Sequence, residues 1–504
     1  MSWPAPDAAP TLGDAELERF RALFEPRGIV LAGASSHPGK FGFVAAHNIL
    51  AQGYAGRLWL LHREGAEVLG RRCLRSLEEV PAGEADLLFV CTPPPTVPGL
   101  LRAAAAKGIR AAFVSSAGYG EVGDEGRRAE RELAALADEL GLLLAGPNGQ
   151  GIVSTPASLC AQIIAPYPPR GAIAVASQSG GFVQAFSNYA RFTGVGVSRA
   201  VSAGNAAQTR LEDYLSYFAA DPETRVAILY LEGLADGRGF FERARAAAAR
   251  IPLIALKGGT TTSGQRAAAS HTGALASDDR VFAGACRQAG IARAATVAEA
   301  FEVAASFAVH PLPRGPNVFV LTTAGGWGVL TADRIASSRE LRLLPLPGDL
   351  REHFDRRLPP RWSRSNPADL AGGETRDTVV ECLELAISHP EVHAVVLLGV
   401  GIQSNLAELE RSGPFFPGHG LERVVEYHER QDRRYARTAV ELERRYEKPI
   451  LVATELAETR PENPGVRAIR ELGSLAYPSS ERAVAALEHL HRRRRWLERR
   501  GLAG

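Results

Sequence analysis

Cysteine is scarce in this chain. The 504 residues hold five, Cys73, Cys91, Cys160, Cys286 and Cys382, with no C-x-x-C pair among them. A scattered, odd-numbered set argues against a disulfide framework or a zinc site and fits a reducing compartment. Net charge is also nearly absent. The 58 basic and 56 acidic side chains almost cancel, so no bulk field draws the chain to nucleic acid or to a membrane surface. The one basic run, 491–495, continued by Arg499 and Arg500, reads as a solvated helix end or basic C-terminal tail over 491–504. No apolar run is long enough to span a bilayer. The opening MSWPAPDAAPTLGDAELERF lacks the charged-then-apolar pattern of a secretion signal. A cytoplasmic protein is expected. Also missing are the strict G-x-G-x-x-G of dinucleotide enzymes and the G-x-x-x-x-G-K-[ST] loop of P-loop enzymes.

What remains is an alternation of short, unbroken apolar runs with Ala- and Leu-rich helical stretches. After a loose Pro- and Ala-rich tail over 1–18, order is expected from about Leu17. The first runs are 28–33 (GIVLAG), 58–61, 86–92 (DLLFVCT) and 111–115 (AAFVS). The pattern restarts after the Pro-rich 166–171 with runs at 172–176, 196–201, 226–231 and 252–256, and again after 311–316 with runs at 318–321, 394–398 and 449–453. Apolar strands alternating with helices predict parallel sheets covered on both faces. At roughly 150 residues each, three α/β domains are expected, over 19–158, 165–309 and 314–490. The Glu- and Arg-rich stretch 403–447 breaks the rhythm and reads as a surface helix between two strands.

Gly-rich turns stand where these strands should end. GIVLAGASSHPGKFG puts Gly33, Gly39 and Gly42 between a strand and a helix, with Ser35 and Lys40 beside them. Glycine lets the backbone approach a phosphate, and the helix N-terminus offers free N–H groups. Thr92-Pro93-Pro94-Pro95 and Ser115-Ser116-Ala117-Gly118-Tyr119-Gly120 follow two further strands, and ligands of open parallel sheets bind outside such carboxyl ends. Gly146-Pro147-Asn148-Gly149-Gln150-Gly151 ends the region.

In the second region Ser177-Gln178-Ser179-Gly180-Gly181 forms a strand–turn–helix suited to an anion. Glu232 ends the strand VAILYLEG. A strand ending in Lys257 leads through small residues to Ser270-His271-Thr272-Gly273. His271 is flanked only by small residues. Its imidazole can attack phosphorus if one ring nitrogen is free and the other is held by a carboxylate. In the third region Thr322-Thr323-Ala324-Gly325-Gly326-Trp327-Gly328 is again a strand-to-helix turn, and 365–370 (SNPADL) reads as a turn.

These pieces resemble the NDP-forming acyl-CoA synthetases, the family that includes the α subunit of succinyl-CoA synthetase. The matching segments are GAS-x-x-PGK-x-G, SAGYGE, GPN-x-x-G, SQSG, VS-x-GN, LYLEG, SHTGALA and T-x-AGG-x-G, in the family's order over about 20–490. The resemblance implies a Rossmann-like CoA-binding domain followed by two flavodoxin-like parallel-sheet domains. It implies CoA held by Gly33, Ser35, Gly39, Lys40, Gly42, Thr92, Pro93, Ser116 and Gly118. It implies His271 as the phosphorylated residue with Glu232 supporting it, and a phosphate cradle at Ser177, Gln178, Ser179, Gly180 and Gly181. The sequence departs from the family at His62-Arg63-Glu64, at Gly149, and at Gln208 and Arg210, where the family shows aspartates. Nothing resembles an ATP-grasp domain, so ATP or ADP and Mg²⁺ are expected on a separate ATP-grasp β subunit. Two other readings stay open. Glu64 with the first Gly-rich turn also fits an NAD-binding oxidoreductase, and the departures fit a non-catalytic CoA sensor or scaffold.

Overall fold

The computed structural model describes residues 12–164, 166–266, 278–370 and 377–502. The first sheet comprises β1 (Gly28–Ala32), β2 (Arg57–Leu61), β3 (Leu87–Val90), β4 (Ala111–Val114) and β5 (Leu143–Ala145), all parallel, in the order β2-β1-β3-β4-β5. The second comprises β6 (Gly151–Ser154), β7 (Leu159–Gln162), β8 (Arg170–Ser177), β9 (Val197–Ser202), β10 (Val226–Leu231), β11 (Leu253–Lys257) and β12 (Ile291–Ala294), in the order β12-β11-β10-β8-β9-β6-β7. The third runs β14 (Arg342–Leu343), β13 (Asn317–Thr322), β16 (Ala394–Leu398), β17 (Ile450–Ala453) and β18 (Ala476–Tyr477), with the short β15 (Ala368–Asp369) also on β13.

The α/β class with parallel sheets is as expected, and each sheet repeats one plan. With the two-residue β15 set aside, the parallel strands of every sheet follow the spatial order second-first-third-fourth-fifth, the flavodoxin-like winding. Each therefore has a switch point between its first and third strands: β1 and β3, β8 and β10, β13 and β16. Burial explains why the strands read as unbroken apolar runs. Every residue of β1, β3, β4, β10 and β16 is buried, because helices cover both faces.

Four features depart from the expectations. The hairpin β6–β7 lies at the end of the region read as the first domain, yet β6 pairs antiparallel with β9 of the second sheet. The first two sheets accordingly belong to one compact unit and the third to another. Further joints hold the first unit together. The helix Asp14–Phe24, which starts three residues before the expected onset of order, stacks Phe20 and Phe24 on Tyr217 at 5.0 and 5.3 Å between ring centroids. The fully buried Arg199 binds Asp221 at 3.1 Å and also pairs with Glu25 and Ser154.

In the second unit, 403–447 is not one surface helix. It forms two helices, Ile402–Ser412 and Leu421–Tyr446, and the longer one buries Tyr435, Ala436, Ala439 and Leu442 in the core of the third sheet. The buried Asp432 accepts the Ser404 backbone N–H at 2.6 Å and so caps the shorter helix. Nor is 491–504 a solvated tail throughout. The helix Ser480–Glu498 runs through the basic run, burying His491, Arg493 and Trp496. The guanidinium carbons of Arg493 and Arg500 lie over the Trp496 ring at 5.1 and 4.6 Å from its centroid, so two of these arginines serve cation–π packing. No helix among the described residues is long and apolar enough to cross a membrane.

Candidate functional site

At the first switch point the expected residues converge. Gly33 has φ +88, and a Cβ on it would lie 2.9 Å from Thr92 Cγ2, so the β1 turn is pressed directly on the β3 turn. A Cβ on Gly42 would overlap the Gly33 carbonyl oxygen, which is what brings the helix Phe41–Ala51 down onto the strand end. Ser35 Oγ accepts the His37 N–H at 3.1 Å, and the exposed Lys40 precedes the helix. Ser116 Oγ donates to the Thr92 carbonyl, and Thr96 Oγ1 donates to the Pro93 carbonyl at 2.8 Å while lying 2.7 Å from Thr92 Oγ1, whose hydroxyl can donate to it. Gly118 approaches Pro94 and donates its N–H to Glu121. The loops after β1, β3 and β4 thus form one surface beside a helix N-terminus, the arrangement that receives phosphates. Of the departures, Glu64 is exposed, while Gly149 is required where it stands: a Cβ would reach Phe113 Cζ at 2.6 Å.

The second switch point holds the carboxylate. Ser177 ends β8, and its Oγ accepts the Ser179 N–H at 3.1 Å and donates to the Ser179 carbonyl at 2.6 Å, shaping the turn into the helix Gly180–Thr193. Glu232 follows β10 and is buried. Gln178 joins the two turns. Its Oε1 accepts the Glu232 N–H at 2.6 Å and the Gly233 N–H at 3.3 Å, and its Nε2 donates to the Gly233 carbonyl at 3.1 Å. Its own N–H donates to the Tyr230 carbonyl at 3.2 Å. Gln178 was expected as a phosphate ligand. With side chain and N–H both engaged, it acts here as the clamp between the two turns. Tyr230 Oη donates to Glu232 Oε1 at 3.1 Å, and its ring stacks on Phe182 at 3.9 Å between centroids. Burial, reinforced by the Glu232 charge, pushes the Tyr230 hydroxyl far above the ordinary phenol range, so it stays a donor.

Lys257 ends β11 next to β10. Its Nζ donates to the Gly258 and Gly259 carbonyls at 3.2 and 3.4 Å, pinning the start of the segment that carries His271. Burial pulls the Lys257 ammonium below its ordinary value. Asp278 fixes the far end by capping the helix Asp279–Ala289. His271 itself lies outside the described residues.

Sequence reasoning missed Asn205, from the VS-x-GN segment. Its Nδ2 donates to Glu121 Oε2 at 2.7 Å and to Glu130 Oε2 at 2.6 Å, and its N–H donates to the Pro147 carbonyl at 2.9 Å. It therefore ties the second sheet to SAGYGE and GPN of the first. Gln208 does the same, bonding the Leu144 N–H, the Leu142 carbonyl and Asp138. The motifs were visible, but nothing in their spacing reveals that they pair with each other. At the third switch point Thr322 Oγ1 accepts the Ala324 N–H and donates to the Ala324 carbonyl, both at 2.9 Å, repeating the Ser177 turn. Asn366 reads as a turn residue but serves the sheet, bonding the Val320 N–H and the Val318 and Leu344 carbonyls, each at 2.9 Å. Among the described residues no cluster of His, Cys, Asp and Glu is placed to hold a metal ion.

Comparison with known proteins agrees with this fold. A CoA-binding domain matches residues 27–155, a succinyl-CoA ligase-like flavodoxin domain 170–307, and a Ligase-CoA domain 318–402. Fold and site together define an acid–thiol ligase built on these domains. The α subunit of ADP-forming acetate–CoA ligase I of Pyrococcus furiosus is 33% identical over 481 residues, covering 95% of this chain and 98% of that protein. The ADP-forming acetate–CoA ligase of Methanocaldococcus jannaschii is 32% identical over 350 residues, 69% of this chain but 49% of that protein. Among solved structures, a dinucleotide-forming acetyl-coenzyme A synthetase 1 of Ca. Korarchaeum cryptofilum, in complex with phosphate and ADP, superposes with a TM-score of 0.81 at 29% identity, covering 97% of this chain and 98% of that one. The chain belongs to the family of ADP-forming acyl-CoA ligases, of the α-subunit type.

Proposed function

We propose that this chain is the CoA- and phosphoryl-handling subunit of an ADP-forming acyl-CoA synthetase, with His271 as the phosphoryl carrier. Phosphate attacks the acyl carbonyl of acyl-CoA and CoA leaves as the thiol, giving an acyl phosphate. The His271 imidazole then attacks phosphorus and the carboxylate leaves. The phosphohistidine passes its phosphoryl group to ADP on a separate ATP-grasp subunit, which also holds Mg²⁺. In reverse, ATP drives acyl-CoA formation in the cytoplasm. CoA lies on the surface formed by the turns at Gly33–Gly42, Thr92–Pro93 and Ser116–Gly118. The first two regions, 19–158 and 165–309, carry this chemistry, and 314–490 is the ligase domain.

The observation that carries this reading is the Gln178 clamp, which places a buried carboxylate and a helix N-terminus at one switch point. Glu232 can hold the far ring nitrogen of His271 and balance the imidazolium that forms on phosphorylation, while the N–H groups of Gly180 and Gly181, which open the helix, receive phosphoryl oxygens. The partner is supported by designation: the Pyrococcus furiosus relative matched over 98% of its length is named a subunit alpha. Incubation with acyl-CoA and ³²P-phosphate should label the wild-type chain and leave His271→Ala unlabelled. Equal labelling of the two would refute the assignment.

A further inference from the structure

We propose, resting on the function above, that a cleft beside the Glu232 turn receives the acyl portion of the substrate, and that Arg210 in its wall selects acids with a second anionic group remote from the reacting carboxyl. The cleft has a volume of about 350 Å³ and is lined by Gln178, Arg210, Leu211, Glu212, Gly233 and Leu234, among others. That volume suits a small organic acid. The walls have two sources. Gln178 and Gly233 belong to the clamp that holds Glu232, so the cleft adjoins the reacting centre. Arg210, Leu211 and Glu212 form the first turn of the helix Leu211–Phe218. Leu211 and Leu234 supply apolar surface for methylene groups.

Arg210 stands against local preference. A cation at a helix N-terminus opposes the macrodipole, where an acidic residue is favoured. Asp213 supplies that acid, accepting the Arg210 N–H at 2.8 Å, but its side chain pairs with Arg243. Among the described residues no carboxylate comes within ion-pair distance of the Arg210 guanidinium, which is exposed at the cleft. Glu212, on the same wall, is buried, and burial draws its carboxyl toward the neutral form against the pull of Arg210 and Arg243. A residue that breaks a local rule without an ion-paired carboxylate of its own points to an external anion. A planar guanidinium matches a carboxylate through paired hydrogen bonds.

The test compares acyl-CoAs of matched length, with and without a terminal carboxylate: glutaryl-CoA against pentanoyl-CoA, and adipoyl-CoA against hexanoyl-CoA. Initial rates of ³²P labelling of the full chain are measured for wild type, Arg210→Gln and Arg210→Lys, with unfolding midpoints checked. Wild type should favour one or both terminal carboxylates by at least about 10-fold, the scale of a charge-assisted hydrogen bond. R210Q should bring the ratio close to one, and R210K should retain part of it. No preference in wild type, or an unchanged ratio in R210Q, would overturn the proposal. If no acyl-CoA labels the chain, the functional reading fails, and ligand-observed NMR with free glutarate and pentanoate still decides the cleft. Glutarate binding that is lost in R210Q supports it, and binding that is absent or unchanged overturns it.

Discussion

Removing one oxygen atom tests whether Glu232 is held for chemistry. Tyr230→Phe deletes the hydroxyl that donates to Glu232 Oε1 at 3.1 Å and leaves the ring stacked on Phe182. The change is nearly isosteric, so the fold should survive. A hydrogen bond to a charged acceptor contributes about 1.5–3 kcal/mol. If that bond orients the carboxylate toward the histidine in the transition state, its loss slows phosphoryl transfer by about 10- to 100-fold, at roughly 1.4 kcal/mol per tenfold. The assay is single-turnover ³²P labelling of the chain at saturating acyl-CoA over a range of phosphate concentrations. The maximal rate should fall while the half-saturating phosphate concentration changes little, because the hydroxyl that is removed bonds the carboxylate and not the anion cradle. A merely structural tyrosine would lower the unfolding midpoint and leave the maximal rate alone. A maximal rate within about twofold of wild type would refute the reasoning.

Other substitutions test the surrounding structure. Gly42→Ala drives a methyl into the Gly33 carbonyl, so calorimetric CoA affinity should fall at least about tenfold, with about 1–3 kcal/mol of stability lost. Arg199→Met leaves Asp221 buried without its guanidinium and should cost about 3–5 kcal/mol in urea unfolding, part of which Arg199→Met with Asp221→Leu should restore. Lys257 has a folded value below its ordinary 10.5, so between the two the unfolded chain binds more protons and stability rises with pH. In Lys257→Met that rise should be smaller across the same window, and parallel wild-type and mutant stability curves would contradict this.

How far the sequence alone reaches follows from what each feature depends on. Runs such as GIVLA, VAILYL and AVVLL were legible as strands because burial on both faces makes them uniformly apolar. The turns at Gly33, Ser177 and Thr322 were legible because strand–turn–helix junctions demand small residues. The pairing of β6 with β9 was not, since an antiparallel strand added across a region boundary leaves no local mark. The Gln178 side chain looked available to an anion because its bonds run to residues more than fifty positions away. The stretch 403–447 looked like surface because its charges outnumber the buried positions that anchor the longer helix.

The central claim is that His271 carries the phosphoryl group. Mass spectrometry of the wild-type chain after incubation with an acyl-CoA panel and phosphate, under conditions that preserve acid-labile phosphate, tests it most directly. The account requires a single added phosphoryl group on the peptide containing His271, abolished by His271→Ala and strongly reduced by Glu232→Gln. A phosphoryl group on any other residue, or undiminished modification in H271A, would contradict it.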